Sequence, residues 1–162
     1  MMNFKFVEGR APLFKMSSPH NHTHQPYNSA VLPITERLRV DARFTGRGVR
    51  MAFLDSGFYP HDDLENRIVA FHDVAGEETA FEKVKSPPAT SWHGTQTTVV
   101  AAGSGKLSDG MYRGIASSAE LVLVKVSENG RIKDKHLERG LEWILANHKK
   151  YQIRILNISL GA

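Results

Sequence analysis

The stretch "GVRMAFLDSG", residues 48–57, is a short apolar run that ends on Asp55, Ser56 and Gly57. Apolar runs of this length between glycines are typical of strands that are buried on both faces of a parallel sheet. Such a strand would deliver the Asp55 carboxylate at its carboxyl end. Receiver-like and flavodoxin-like domains also place polar residues there, so the stretch predicts an α/β fold without choosing among its functions.

Further strands and helices alternate along the chain after Asp55. Strands are predicted in three apolar segments: "RIVAFHDV" (residues 67–74), "AELVLVKV" (119–126) and "IRILNISLGA" (153–162). Helices are predicted in "HGTQTTVVAAGSG" (93–105) and "DKHLERGLEWILANHKKY" (134–151). This alternation predicts a three-layer α/β fold, with a mostly parallel sheet covered by helices on both faces. Reactive groups of such sheets gather at the carboxyl ends of the strands, where Asp55 lies.

The composition is that of one globular domain: 162 residues, of which 41% are hydrophobic and 23% are charged. No apolar run approaches the roughly 18 residues that a membrane span needs. The first residues contain no signal peptide, so we expect a cytoplasmic protein without a membrane partner. Cysteine is absent, which excludes disulfides and cysteine metal sites.

The net charge of +4 is concentrated at the start of the chain. Residues 1–50 contain eight Lys or Arg and three acidic residues, whereas residues 51–162 contain thirteen and fourteen. Domains that bind nucleic acid usually carry a basic face on their folded part. The nearly neutral remainder of the chain therefore argues against nucleic acid as a partner.

We predict that residues 1–36 form an extended N-terminal arm, because they contain four prolines and few periodic apolar positions. His20, His22 and His24 alternate as metal ligands on a strand would. No acidic residue or further histidine lies nearby, so we interpret this tract as polar chain and not as a metal site. Residues 37–162 are then the folded domain.

A histidine in the stretch "SWHGTQTTVVAAGSG", residues 91–105, precedes a run of small side chains. An isolated His-Gly-Thr is more often a core histidine at a helix start. The order of four blocks favours another interpretation. Asp-Ser-Gly closes a strand, His-Gly-Thr follows 38 residues after Asp55, and then come "YRGIASSAELVLVKV" (112–126) and "ILNISLG" (155–161). From about Thr45 to Ala162 this series resembles the subtilase family, the subtilisin-like serine proteases.

The resemblance implies a peptidase that hydrolyses peptide bonds with an Asp-His-Ser triad, in which Asp55 and His93 match the aspartate and the histidine. A serine hydroxyl is a poor nucleophile at neutral pH, so an imidazole must accept its proton during attack. A buried carboxylate must fix the imidazole tautomer and stabilise the imidazolium. We expect His93 to lie at the start of a helix. The small Gly94 behind it would let this helix pack against the sheet, so that His93 reaches Asp55.

The same resemblance implies further roles around the triad. Ser159, Leu160 and Gly161 match the edge segment that pairs with the backbone of a polypeptide substrate, and Gly130 lies where the opposite substrate-binding loop would be. Asp63 matches an aspartate that binds a structural calcium ion in many members, although the loop "GKLSDGMY" (residues 105–112) departs from the family pattern. The chemistry itself requires no cofactor.

The start of the predicted helix also departs from the family pattern. Gln96, Thr97, Thr98 and Val99 stand where most members have His, Val, Ala and Gly. We expect these four positions to pack the helix without taking part in the chemistry, which leaves the triad assignment unaffected.

The sequence reaches Ala162 before the family's oxyanion-hole asparagine and its Gly-Thr-Ser nucleophile block. Ser56 and Ser159 are not expected to replace that serine, since neither sits at a sharp strand-to-helix turn. We therefore expect residues 37–162 to be the N-terminal part of a subtilisin-like serine endopeptidase domain, inactive without the missing C-terminal half. Two alternatives remain: a non-catalytic subtilase-derived module that binds extended peptides along "SLG" by strand addition, and a doubly wound binding or signalling domain.

Overall fold

The computed structural model describes residues 31–76, 81 and 91–160 of the chain. The strands in these ranges are β1 (Arg50–Asp55), β2 (Ile68–Asp73), β3 (Glu120–Lys125), β4 (Ser127–Glu128), β5 (Arg131–Ile132) and β6 (Ile153–Ile158). The α-helices are α1 (Ile34–Arg37), α2 (Ser91–Ala102) and α3 (Asp134–Asn147), and short 3-10 turns occur at Asp62–Leu64 and Lys106–Ser108. All four strands and both helices that the sequence predicts are therefore present.

Four of the strands form one parallel sheet in the order β2-β3-β1-β6. In register, Asp55 at the end of β1 lies beside Lys125 of β3, and Lys125 lies beside Asp73 of β2. Three neighbouring strands thus end together, each on a charged residue. The predicted fold class is confirmed, and Asp55 lies at the carboxyl edge of the sheet as expected.

Both faces of the central strands are covered. Alternate side chains of β1 and β3 enter two apolar clusters, because successive residues of a strand point to opposite faces. Phe53, Leu121 and Leu123 pack with Ala102 of α2 on one face. Leu54, Val122 and Val124 pack with Ile144 of α3 on the other. None of the helices in the described ranges has the length and apolar content of a membrane-spanning helix.

A two-stranded hairpin, β4–β5, follows directly after β3 and was not predicted from the sequence. Asn129 and Gly130 connect its strands with positive φ angles of 47° and 76°. This pair of conformations is typical of a type I′ turn, for which Asn-Gly is the preferred dipeptide. The "NG" signal was therefore present, and Gly130 has a structural reason to be glycine.

Part of the predicted arm is helical. Helix α1 spans Ile34–Arg37, so the predicted boundary between residues 36 and 37 falls inside it. Residues 1–30, which include His20, His22 and His24, lie outside the described residues, and the prediction for that part of the arm stays a prediction.

Helix α2 approaches β1 more closely than a side chain at Gly94 would permit. A Cβ atom added at Gly94 would overlap the carbonyl oxygen of Gly57 and lie 2.9 Å from Asp55 Cβ and from Phe58 Cε1. The Gly57 oxygen belongs to the backbone and Asp55 Cβ to a short buried side chain, so neither atom can move aside without distorting the structure. The absence of a side chain at Gly94 therefore sets the distance between α2 and the end of β1.

We expect Gly94→Ala to lower the stability of the protein. Alanine gains about 1 kcal/mol of helix propensity over glycine. Overlap with fixed backbone costs about 1–3 kcal/mol or more, so the overlap outweighs the gain. Thermal unfolding should show a lower midpoint for Gly94→Ala. Gln96→Ala, an exposed change on the same helix, should stay within about 0.5 kcal/mol of wild type. Equal midpoints for all three proteins would contradict the close approach.

Candidate active site

Asp55 is the last residue of β1, and it is completely buried. Its Oδ1 accepts hydrogen bonds from the backbone N–H of Ser56 at 2.6 Å and from Ser56 Oγ at 3.2 Å. Its Oδ2 lies 3.2 Å from Thr97 Oγ1. A buried carboxylate is tolerated only when hydrogen bonds replace the water that it loses, and both oxygens of Asp55 have such donors.

His93, the third residue of α2, meets the Asp55 carboxylate. His93 Nδ1 and Asp55 Oδ1 are 2.8 Å apart, and the side chain of His93 is 57% exposed. Because a carboxylate only accepts, Nδ1 carries the proton of this hydrogen bond, and Nε2 of a neutral ring is left as an acceptor. The pair thus combines a buried carboxylate with a largely exposed imidazole whose second nitrogen can accept a proton.

Backbone contacts hold the end of β1 in place around Asp55. The N–H of Val126 donates to the carbonyl oxygen of Asp55 at 3.0 Å, and Ser127 Oγ donates to the carbonyl oxygen of Ser56. On the other side, the N–H of Tyr59 donates to Thr95 Oγ1 at 3.0 Å. The segment from Asp55 to Tyr59 is therefore hydrogen-bonded both to the residues after β3 and to Thr95 of α2.

An aromatic group borders the first turn of α2. Trp92, directly before His93, is 57% exposed and meets Tyr59 edge-on with ring centroids 5.1 Å apart. Burial raises the pKa of the Tyr59 hydroxyl. An exposed aromatic side chain thus lies directly before His93 in the chain.

A second buried charge pair lies at the same edge of the sheet. Lys125 Nζ is 2.9 Å from Asp73 Oδ2, and the two side chains are 5% and 0% exposed. Lys125 stands in register between Asp55 and Asp73. This pair joins the ends of β3 and β2, next to the strand that carries Asp55.

The expectation that residues 96–99 only pack the helix needs correction. Gln96 is exposed, and the buried Thr98 donates to the Gly94 carbonyl at 2.7 Å inside its own helix. Thr97 Oγ1 also contacts carbonyl oxygens of its own helix, but in addition it lies 3.2 Å from the Asp55 carboxylate. Its position four residues after His93 was the available signal, because residues four apart lie on the same face of a helix.

Ser159 and Leu160, two of the predicted substrate-binding residues, lie at the carboxyl edge of the sheet. Leu54 pairs with Ile158, so Ser159 and Leu160 leave β6 at the same edge as Asp55. Ser159 Oγ accepts a hydrogen bond from Asn157 at 2.8 Å, and Leu160 packs against the α3-side cluster. Gly130 forms the hairpin turn beyond β3, and Gly161 lies outside the described residues. Binding of substrate by these residues stays a prediction.

Asp63, the residue predicted to bind calcium, accepts three hydrogen bonds from other described residues. Its Oδ1 accepts from the N–H of Leu107 at 3.1 Å, and its carbonyl oxygen accepts from the N–H of Ser104 at 2.9 Å and from Arg67 Nη2 at 2.5 Å. Within the described ranges, no group of three or more His, Cys, Asp or Glu side chains is placed to hold a metal ion. Calcium binding at Asp63 stays a prediction.

Comparisons with known proteins agree with this fold. The chain is 36% identical to the serine protease AprX of Bacillus subtilis over 132 residues, which cover 78% of this chain and 28% of AprX. It is 31% identical to the minor extracellular protease Epr of the same organism over 162 residues, which cover 98% of this chain and 23% of Epr. The chain thus spans less than a third of the length of either relative.

Solved structures show the same architecture. The CspB protease of Clostridium perfringens superposes with a TM-score of 0.62 at 23% identity, over 78% of this chain and 32% of that protein. A cold-adapted subtilisin-like serine proteinase superposes with a TM-score of 0.51 at 24% identity, over 66% of this chain and 35% of that protein. The sequence profile of the subtilase family matches residues 46–162, which include β1, α2 and β6. The chain therefore belongs to the subtilase family.

Proposed function

We propose that the protein containing this chain is a serine endopeptidase, in which Asp55 and His93 are the aspartate and the histidine of an Asp-His-Ser triad. The hydrogen bond of 2.8 Å between His93 Nδ1 and the buried Asp55 Oδ1 carries this proposal. Membership of the subtilase family and the protease relatives support it. The serine nucleophile is assigned to a segment outside these 162 residues.

The two side chains would move one proton during catalysis. His93 Nε2 accepts the proton of the serine hydroxyl as the oxygen attacks the peptide carbonyl, and the imidazolium then donates that proton to the leaving amine. Asp55 holds the ring through Nδ1, so that Nε2 presents a lone pair, and its negative charge stabilises the imidazolium. Burial of Asp55 strengthens this interaction, because little water screens it.

Ser56 and Ser159 have other hydrogen-bond partners, which supports placing the nucleophile elsewhere. Ser56 Oγ donates to Asp55, and Ser159 Oγ accepts from Asn157. In the described part of the chain, no serine hydroxyl forms a hydrogen bond with His93. The substrate would be an extended polypeptide whose backbone pairs with Ser159, Leu160 and Gly161 by strand addition.

His93→Ala should remove nearly all peptidase activity of the full-length protein, since the serine then has no base. Loss of one triad member typically lowers kcat by about 10³ to 10⁶. Hydrolysis of a chromogenic peptide measures this effect, with circular dichroism to verify folding. His148→Ala changes an exposed histidine at the end of α3 and should leave kcat unchanged. A folded His93→Ala protein with wild-type turnover would reject the triad assignment. Peptide binding without hydrolysis by wild type would favour the non-catalytic module.

Asp55→Asn should also reduce kcat severely, by about 10³ to 10⁴, because an amide at this position favours the wrong imidazole tautomer. KM should change much less, since Asp55 is buried and does not meet the substrate. The same peptide assay measures both constants. Asp62→Asn, which alters an exposed carboxylate, is the matched control and should resemble wild type. A loss confined to KM would show that Asp55 acts in binding.

A polypeptide limited to these 162 residues should not react with a serine-directed phosphonate, because Ser56 Oγ donates to Asp55 and Ser159 Oγ accepts from Asn157, so neither hydroxyl is paired with the His93 imidazole. Mass spectrometry of the treated chain measures labelling, and a family protease of known activity serves as the positive control. Stoichiometric labelling of either serine would overturn the placement of the nucleophile outside this chain.

A further inference from the structure

We infer that Thr97 is a positioning residue for the Asp55–His93 pair, and that its hydroxyl fixes the carboxylate by holding the oxygen that His93 does not use. The inference rests on the proposed function, in which Asp55 acts through His93. Its basis is the distance of 3.2 Å between Thr97 Oγ1 and Asp55 Oδ2.

The donors around Asp55 are unequally divided between its two oxygens. Oδ1 receives His93 Nδ1 and both polar groups of Ser56, at distances from 2.6 to 3.2 Å. Among the described residues, Thr97 is the only hydrogen-bond donor to Oδ2. Because Asp55 is completely buried, an Oδ2 without a donor would carry the full cost of lost hydration. Thr97 is therefore needed to satisfy the carboxylate.

The hydroxyl of Thr97 has one proton and three acceptors within reach. Besides Asp55 Oδ2, the carbonyl oxygens of His93 and Gly94 lie at 2.9 and 3.0 Å. Hydrogen bonds to an ionised acceptor are about twice as strong as those between neutral groups. If the proton pointed to a carbonyl oxygen, a lone pair of Oγ1 would face the negatively charged carboxylate, and the two would repel each other. The charge of Asp55 therefore directs the proton toward Oδ2.

The position of Thr97 on α2 explains how this contact serves His93. Thr97 follows His93 by four residues, so both side chains leave the same face of one rigid helix, one turn apart. One helix thus directs a donor to each oxygen of the same carboxylate. Without the Thr97 donor, the carboxylate can rotate toward another partner, and Oδ1 then leaves its alignment with His93 Nδ1.

Four variants of the full-length protein test this role. Thr97→Val keeps the side-chain shape but removes the hydroxyl, whereas Thr97→Ser keeps the hydroxyl. Thr98→Val is the matched control, because it removes the neighbouring buried hydroxyl that bonds only inside the helix. Thr97→Ala, compared with Thr97→Ser, removes the same oxygen if Thr97→Val does not fold. The measurements are kcat, KM, the thermal midpoint and the proton resonance of His93 Nδ1–H.

We expect Thr97→Val to lower kcat about tenfold with KM within about twofold, as for the loss of one hydrogen bond to a charged group. It should also shift the Nδ1–H resonance. Thr97→Ser should restore both properties. Thr98→Val should lower the thermal midpoint and leave kcat and the resonance at wild-type values.

Wild-type kcat and an unchanged resonance in Thr97→Val would overturn the inference, as would an equal loss of kcat in Thr98→Val. Failure of the proposed function is recognised separately, by a wild-type protein without peptidase activity or by an active His93→Ala variant. In that case the Nδ1–H resonance still tests whether Thr97 fixes the carboxylate, because this measurement needs no substrate.

Discussion

The negative charge of Asp55 is completely buried at the end of a strand, and its burial constrains the structure around it. Removing a carboxylate from water costs several kcal/mol unless donors replace the solvent. The neighbouring Ser56 supplies part of that replacement, and His93 and Thr97 supply the rest from α2. The helix must therefore lie against β1, and it can do so only because Gly94 has no side chain at the point of approach. The buried charge of Asp55 and the absence of a side chain at Gly94 thus account for the arrangement of the site.

Much of this arrangement could be predicted from the sequence. The apolar run before Asp55 and the valine-rich run before Lys125 identify buried parallel strands, because few other structures bury both faces of so short a segment. The order of Asp-Ser-Gly and His-Gly-Thr predicted that Asp55 and His93 belong to one site, and the structure places them 2.8 Å apart.

Other features depend on three-dimensional contacts that a linear pattern does not contain. The spacing of four residues places Thr97 on the same face of α2 as His93, but it does not identify Asp55 Oδ2, 42 residues away, as its partner. The pairing of Lys125 with Asp73 likewise follows from the strand order, which places β3 between β1 and β2. The pair can form only because β2 and β3 are neighbours in the sheet. Removing one member of such a buried pair typically lowers the stability by about 3–5 kcal/mol.

The strand order also has a consequence for how the molecule folds. Arg50 of β1 pairs with Glu120 of β3 across 70 residues, and its guanidinium reaches the carbonyl oxygen of Tyr151 across 101 residues. Contacts between residues so far apart in the sequence form only after the chain has lost entropy by closing a long loop. Such contacts therefore slow folding. On the ribosome, Asp55 and His93 emerge before β3, the strand that flanks Asp55. Asp55 consequently reaches its fully buried environment only after β3 has been synthesised and has joined the sheet.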